Sequence, residues 1–138
     1  MNELLTDRLI LRRLTTADAA FIITLLNDAA FIQNIGDRGV RTTEDACAYI
    51  QNGPVAGYER FGFGLLRVAL KESDEPIGIC GLLKRESLDD PDIGFAFLPE
   101  YRSRGYAVEA AAAVVAYARD ELRLARLVAI VLGASHWP

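Results

Sequence analysis

One short segment of the chain combines residue types that could bind an anion. Residues 102–107, which we call the glycine turn, read Arg-Ser-Arg-Gly-Tyr-Ala. They lie between an apolar run at residues 93–98 and an alanine-rich segment with high helix propensity. The pattern predicts a strand, a tight turn and a helix, whose first backbone N–H groups and dipole favour a negative ligand. The chemistry that suits this arrangement best is phosphate binding.

The same hexapeptide also fits a purely structural interpretation. In that interpretation Gly105 supplies a backbone conformation that other residues avoid, and Arg102 and Arg104 are solvated. In the binding interpretation, Gly105 and the small Ala107 let a ligand approach the backbone closely. Short glycine patterns are frequent by chance, so the hexapeptide alone does not decide between the two. The sequence has no GxGxxG and no Walker lysine, so it does not support a dinucleotide fold or a nucleotide triphosphatase.

Length and composition indicate a single folded domain. The chain has 138 residues, 51% of them hydrophobic and 25% charged, which is enough to bury a core. The net charge of −4 argues against a nucleic-acid partner or an anionic membrane surface. Two distant cysteines, Cys47 and Cys80, and a lone His136 are too few ligands for a metal site. With no signal peptide and no membrane-spanning apolar run, we expect a cytoplasmic protein with reduced thiols.

The first half of the chain predicts a strand followed by two short capped helices. The strand covers residues 8–14, and Thr15 caps the first helix with Asp18 at the N3 position. Thr42 caps the second helix in the same way. Residues 53–64 contain a proline and several glycines, which predicts a loop.

The second half predicts an α/β (α+β) fold with a mixed central sheet. Strands at residues 64–71, 77–83 and 92–98 follow one another with polar connections, which predicts an antiparallel meander. After the glycine turn comes a helix, then an apolar strand at residues 126–132. A strand–helix–strand unit of this length implies a right-handed crossover and a parallel strand pair.

Four segments of the chain resemble the GCN5-related N-acetyltransferase (GNAT) family, in particular its ribosomal-protein-acetylating branch. Residues 6–14 are similar to the family's front strand, and residues 76–82 to its third strand. Residues 92–95, Asp-Ile-Gly-Phe, resemble a fourth strand that commonly reads Glu-Ile-Gly-Tyr. Residues 99–110 resemble the acetyl-CoA pyrophosphate loop and its helix. The resemblance implies an acyl-CoA N-acyltransferase-like fold.

The resemblance also implies a site for acetyl-CoA as co-substrate, without a metal. Backbone N–H groups around residues 104–107, helped by two arginines, would hold the pyrophosphate. The backbone of two residues at the end of the preceding strand would pair with the pantetheine arm, between that strand and the strand at residues 127–132. The expected cofactor-binding residues are Phe97, Leu98, Arg102, Arg104, Gly105, Tyr106 and Ala107.

The resemblance implies that a primary amine attacks the thioester directly. This amine would belong to a small molecule or to a protein N-terminus. Asp92 is the candidate base, acting through water, because it lies where the family often has Glu. The alternative is that Asp92 is a solvated residue at a strand entry. Glu100 and Glu109 are interpreted as helix-start and surface charges, because negative charge beside pyrophosphate is unfavourable. Cys80 is interpreted as a small core residue.

The sequence departs from the family pattern at its C-terminal end. Residues 1–138 are expected to form one acetyltransferase-like domain without the family's last helix and two strands, where the thiol-protonating residue lies. Three alternatives for the function of the chain are therefore open: an acetyltransferase, a non-catalytic acyl-CoA-binding module, and an unrelated small-ligand α/β domain. An apolar edge at residues 127–132 predicts a homo-oligomer formed through that strand.

Overall fold

The computed structural model describes residues 3–84 and 91–121, and its centre is a five-stranded sheet. The strands follow chain order across the sheet, and every neighbouring pair is antiparallel. They are β1 (Leu4–Leu5), β2 (Leu9–Arg13), β3 (Leu65–Leu70), β4 (Pro76–Leu83) and β5 (Asp92–Phe97). The predicted meander is therefore confirmed. The strand predicted at residues 126–132, with its parallel pairing and its role as an oligomer edge, lies outside the described residues.

The helices begin where the capping residues predict. Thr15 and Asp18 form a reciprocal capping box, which leads through a short 3-10 turn into the first helix. Thr42 and Asp45 form a second one, in which the Asp45 N–H donates to Thr42 Oγ1 at 3.0 Å and the Thr42 N–H donates to Asp45 Oδ2 at 3.2 Å. The helices are α1 (Ala19–Leu26), α2 (Ala29–Asn34), α3 (Thr43–Ile50), α4 (Ala56–Phe61) and α5 (Tyr106–Asp120).

The prediction of a loop at residues 53–64 is wrong. A π-helical turn at Gln51–Val55 continues α3 into α4, so that the backbone stays helical as far as Phe61. Proline interrupts an α-helix because it lacks an N–H and its ring clashes with the preceding turn, and the wider π turn accommodates Pro54. Gly62, with φ of 79°, then ends the helix in a left-handed conformation.

A buried tyrosine fixes α4 to the sheet. The Tyr58 hydroxyl accepts a hydrogen bond from the Leu14 N–H at 2.9 Å and donates one to the Leu65 carbonyl. Burial raises the pKa of Tyr58 to about 12. The hydroxyl therefore stays protonated and hydrogen-bonds the residue that follows β2 and the first residue of β3.

The sheet separates two apolar layers. On one face α5 packs through Ala110, Val114 and Ala118, all buried, against β4, β5, β1 and β2. On the other face, the buried side chains of α1, α2 and α3 pack against Leu65, Ile79 and Ala96. The buried side chains of α5 are small, which allows a helix to lie close to a sheet. In the described ranges, no helix has the length and hydropathy needed to cross a bilayer.

A close approach of two strands requires glycine at position 81. A Cβ at this position would lie 2.1 Å from the Gly64 carbonyl oxygen and 2.7 Å from the Leu65 Cα. Both neighbours are backbone atoms at the start of β3, so a rotamer change cannot make room for a side chain at position 81.

We therefore predict that Gly81→Ala lowers the free energy of unfolding by about 1–3 kcal/mol. Gly53→Ala is the control, because a Cβ at Gly53 meets nothing within 4 Å. We expect this variant to be neutral or more stable by up to about 1 kcal/mol, as alanine favours helix. Urea denaturation measures both, and equal stability of the two variants would contradict the proposed clash.

Candidate active site

A cavity of about 330 Å³ lies between α2, the C-terminal half of β5 and the glycine turn. Its walls are mainly apolar, and the first turn of α5 closes one end. The lining residues are Ala30, Phe31, Asn34, Ile35, Phe95, Ala96, Phe97, Tyr101, Arg102, Ser103, Gly105, Tyr106, Ala107 and Val108. Five residues predicted to bind the cofactor are therefore brought together here, namely Phe97, Arg102, Gly105, Tyr106 and Ala107. Leu98, Arg104 and Asp92 are not part of this lining.

The first residues of α5 line the cavity, and their backbone N–H groups precede the first hydrogen bond of the helix. Ser103 and Gly105 both have left-handed backbone conformations, with φ of 62° and 81°. Helix α5 begins at Tyr106, and its first hydrogen bond runs from the Glu109 N–H to the Gly105 carbonyl at 3.1 Å. The N–H groups from Tyr106 to Val108 precede that bond, and Gly105 at the N-cap has no side chain to accept them. The predicted strand–turn–helix arrangement is confirmed, and it can hold an anion.

The Arg102 side chain braces the glycine turn against two other elements. Its Nε donates to the Phe97 carbonyl at 3.0 Å, and its guanidinium donates to Asp28 Oδ2 at 2.9 Å. The same carboxylate oxygen accepts the Phe31 N–H at 3.1 Å and so caps α2. The family resemblance implies that Arg102 helps to hold pyrophosphate, whereas here its contacts hold the turn to β5 and α2.

The two backbone residues predicted to pair with a pantetheine arm face opposite directions. The Leu98 N–H donates to the Ile77 carbonyl at 2.9 Å and is used inside the sheet. Because successive residues of a strand point their backbone groups to opposite sides, those of Phe97 point away from β4. The bond from Arg102 to the Phe97 carbonyl shows this orientation. Phe97 therefore offers the outward backbone groups at this end of β5.

Asp92 lies at the opposite end of β5 from the glycine turn. Asp92 pairs with Leu83 of β4, and its side chain is fully buried. The alternative that Asp92 is a solvated residue at the start of the strand is therefore wrong. At the rise of an antiparallel strand, Asp92 and Phe97 are about 17 Å apart. A base at Asp92 would act at the far end of the strand from the anion-binding turn.

The sequence interpretation missed a cluster that joins α5 to the β1–β2 turn. Glu109, expected to be a surface charge, accepts hydrogen bonds from Thr6 Oγ1, from the Arg8 N–H at 3.0 Å and from Arg8 Nε at 2.7 Å. That expectation is wrong, since the side chain is only 19% exposed. The available signal was Thr-Asp-Arg at the start of the front-strand motif, which places a hydroxyl and a guanidinium on one turn.

Burial raises the pKa of Glu109, but hydrogen bonds from Thr6 and Arg8 outweigh it, so the pKa is lowered from its usual value of 4.5. A lowered folded-state pKa means that these contacts stabilise the fold fully above pH 4.5. Their contribution is lost as pH falls through the lowered pKa.

The side chain of Cys80 lies in the core beside the sheet. Cys80 is a fully buried free thiol, and burial raises its pKa to about 12, which confirms it as a core residue. Within residues 3–84 and 91–121, no group of three His, Cys, Asp or Glu side chains could hold a metal ion.

Comparisons with known proteins agree with this geometry. The family model described as acetyltransferase (GNAT) domain matches residues 8–134. The uncharacterized N-acetyltransferase YnaD of Bacillus subtilis is 32% identical over 124 residues, which are 90% of this chain and 69% of YnaD. An acetyltransferase structure from Agrobacterium tumefaciens has a TM-score of 0.77 at 28% identity, covering 94% of this chain and 73% of that one. RimL, a ribosomal L7/L12 alpha-N-protein acetyltransferase in complex with coenzyme A, has a TM-score of 0.75 at 16% identity, covering 93% and 73%.

The chain belongs to the GNAT acetyltransferase family. The resemblance seen in the sequence is thereby confirmed, as are the acyl-CoA N-acyltransferase fold and the assignment to an enzyme class, the N-acetyltransferases.

The contacts of Asp28 generate a stability prediction. Asp28→Ala removes both the cap of α2 and the partner of Arg102, and we expect it to lower the free energy of unfolding by about 1–2 kcal/mol. Asp28→Asn keeps a capping oxygen and loses only a partly exposed ion pair, which contributes at most about 1 kcal/mol. Thermal denaturation compares them, and equal losses would show that the cap contributes nothing.

Proposed function

We propose that the protein transfers an acetyl group from acetyl-CoA to a primary amine, and that the glycine turn holds the CoA pyrophosphate. The observation that carries this proposal is the row of N–H groups from Tyr106 to Val108 at one end of an apolar cavity. The fold shared with the CoA-bound RimL structure supports it. The acceptor is a small molecule or a protein N-terminus.

The residues present fit such a ligand in two chemically different places. At the polar end, the helix dipole of α5 adds to its N–H groups, and the exposed Arg104 lies in the same turn. Along the cavity, Phe31, Ile35 and Phe97 offer apolar walls for an aliphatic arm. The outward N–H of Phe97 offers a hydrogen bond to an amide carbonyl of that arm, while its carbonyl accepts from Arg102. Because Arg102 is bound to Asp28, we assign the pyrophosphate mainly to the backbone.

Catalysis requires that the amine be neutral when it attacks. Acetyl-CoA supplies the thioester, and the amine would attack its carbonyl carbon directly. The C–N bond forms as the C–S bond breaks, and CoA leaves as a thiolate that takes up the proton lost by the nitrogen, so no nucleophilic side chain is needed. We assign to Asp92 the role of accepting the ammonium proton through water. Its position at the start of β5 agrees with this assignment, because it places the base at the far end of the strand from the pyrophosphate.

The second candidate is binding of acyl-CoA without transfer. The full burial of Asp92 favours it, because a base must reach water or substrate to exchange a proton. Release of free thiol from acetyl-CoA, measured with a panel of small amines and N-terminal peptides, separates the two functions. Acetyl-CoA binding with no amine-dependent thiol release would favour the second.

The pyrophosphate assignment predicts a selective loss of affinity at Gly105. Gly105→Val places a β-branched residue at a φ of 81°, beside the turn's N–H groups, and we expect calorimetry to detect no CoA binding. Gly62→Val is the matched control, since its φ is 79° and it lies outside the cavity. Both variants should lose about 1–2 kcal/mol of stability from strain. Unchanged CoA affinity in Gly105→Val would refute the assignment.

The catalytic assignment predicts an effect on rate without an effect on binding. We expect Asp92→Asn, which is nearly isosteric, to lower kcat by about 10²–10⁴-fold and to leave the Kd for CoA unchanged. Asp120→Asn, on an exposed residue at the end of α5, should change neither value. The thiol-release assay measures kcat, and a wild-type rate in folded Asp92→Asn would exclude Asp92 as the base.

A further inference from the structure

Arg8, in the turn between β1 and β2, contacts the glycine turn and α5 in three different ways. One guanidinium nitrogen donates to the Arg104 carbonyl at 3.1 Å. The guanidinium carbon lies 4.3 Å from the centroid of the Tyr106 ring, in cation–π geometry. Its Nε forms a 2.7 Å ion pair with Glu109. One side chain therefore contacts residues on both sides of Gly105.

Glu109 completes the connection from the helix side. One carboxylate oxygen binds Arg8 Nε, and the other accepts from the Arg8 N–H and from the Thr6 hydroxyl. We call Thr6, Arg8 and Glu109 the hairpin clamp. Bonds to both carboxylate oxygens fix the orientation of the first turn of α5 relative to the β1–β2 turn.

The β1–β2 turn is itself held independently of α5. The Thr6 N–H donates to the Leu9 carbonyl at 3.0 Å, and the Leu9 N–H donates to Thr6 Oγ1 at 2.9 Å. The Arg8 carbonyl accepts from the Lys71 N–H at 2.8 Å, next to the end of β3. The hairpin clamp thus connects the glycine turn to a hydrogen-bonded turn at the β1–β2 edge of the sheet.

The glycine turn needs such support. Ser103 has a φ of 62°, and a non-glycine residue in this region costs about 1–2 kcal/mol relative to its usual conformation. A strained conformation persists only where surrounding contacts determine it. The hairpin clamp supplies those contacts on one side of the turn, and the pair of Arg102 with Asp28 supplies them on the other.

We propose that Arg8 and Glu109 are positioning residues, which hold the N–H groups of the glycine turn in the arrangement that binds the phosphates of CoA. This inference rests on the proposed function. Glu109 places a negative charge one helical turn from those N–H groups, which by electrostatics alone opposes a phosphate ligand. The contribution of Glu109 to CoA binding is therefore geometric. Removing Glu109 distinguishes the two effects, because loss of positioning weakens CoA binding whereas loss of the negative charge strengthens it.

The test measures the Kd for CoA by calorimetry in the wild type and in Glu109→Ala, with folding checked by circular dichroism. Positioning predicts that Glu109→Ala weakens binding by about tenfold or more, although the variant loses a negative charge. The matched control is Asp120→Ala, which makes the same charge change at the exposed end of the same helix and should leave Kd unchanged. Arg8→Ala combined with Glu109→Ala should weaken binding no more than the stronger single variant.

The CoA affinities of the wild type and the variants separate the positioning role from the proposed function. A folded Glu109→Ala that binds CoA as tightly as the wild type, or more tightly, refutes the positioning role alone. A wild type that binds no CoA refutes the proposed function and this inference with it. If Glu109→Ala does not fold, Arg8→Lys replaces it, because lysine keeps the charge but cannot contact Glu109, Arg104 and Tyr106 together. A wild-type Kd in Arg8→Lys would equally refute the positioning role.

Discussion

The position of α5 against the sheet is the constraint on which the rest of the structure depends. Ala110, Val114 and Ala118 are almost fully buried there, and small side chains allow a close helix-to-sheet distance. Burial of apolar area sets the position of the helix, and the helix in turn sets where its first N–H groups point. The same packing places the glycine turn at the end of β5, beside the apolar cavity.

Two ionic contacts then determine the shape of the turn from opposite sides. Arg102 with Asp28 holds it to α2, and Arg8 with Glu109 holds it to the β1–β2 turn. Each pair is partly exposed and contributes little to global stability as an isolated ion pair. Their effect is local, because both also bind backbone carbonyls, those of Phe97 and Arg104.

Local features of the sequence predicted local features of the structure. Thr15 and Thr42 begin capped helices because their hydrogen bonds join residues only a few positions apart. The loop prediction at residues 53–64 was wrong because proline usually ends a helix. The π turn that accommodates Pro54 depends on the packing of α4. The partners of Arg102 and Glu109 are set by the tertiary fold: Thr-Asp-Arg signals a polar turn, but its spacing does not identify Glu109 as the partner. The Arg8 N–H and Glu109 are 101 positions apart in the chain.

The separation between the β1–β2 turn and α5 also has a consequence for folding. A contact between residues this far apart closes a very long loop, and the entropy of that closure must be offset by contacts across the whole sheet. Chains rich in such non-local contacts fold slowly, and their distant parts become ordered together. The glycine turn therefore gains its contacts with the hairpin clamp only when residues 101 positions apart in the chain have been brought together. A ligand bound there selects the completed fold over every partly folded form.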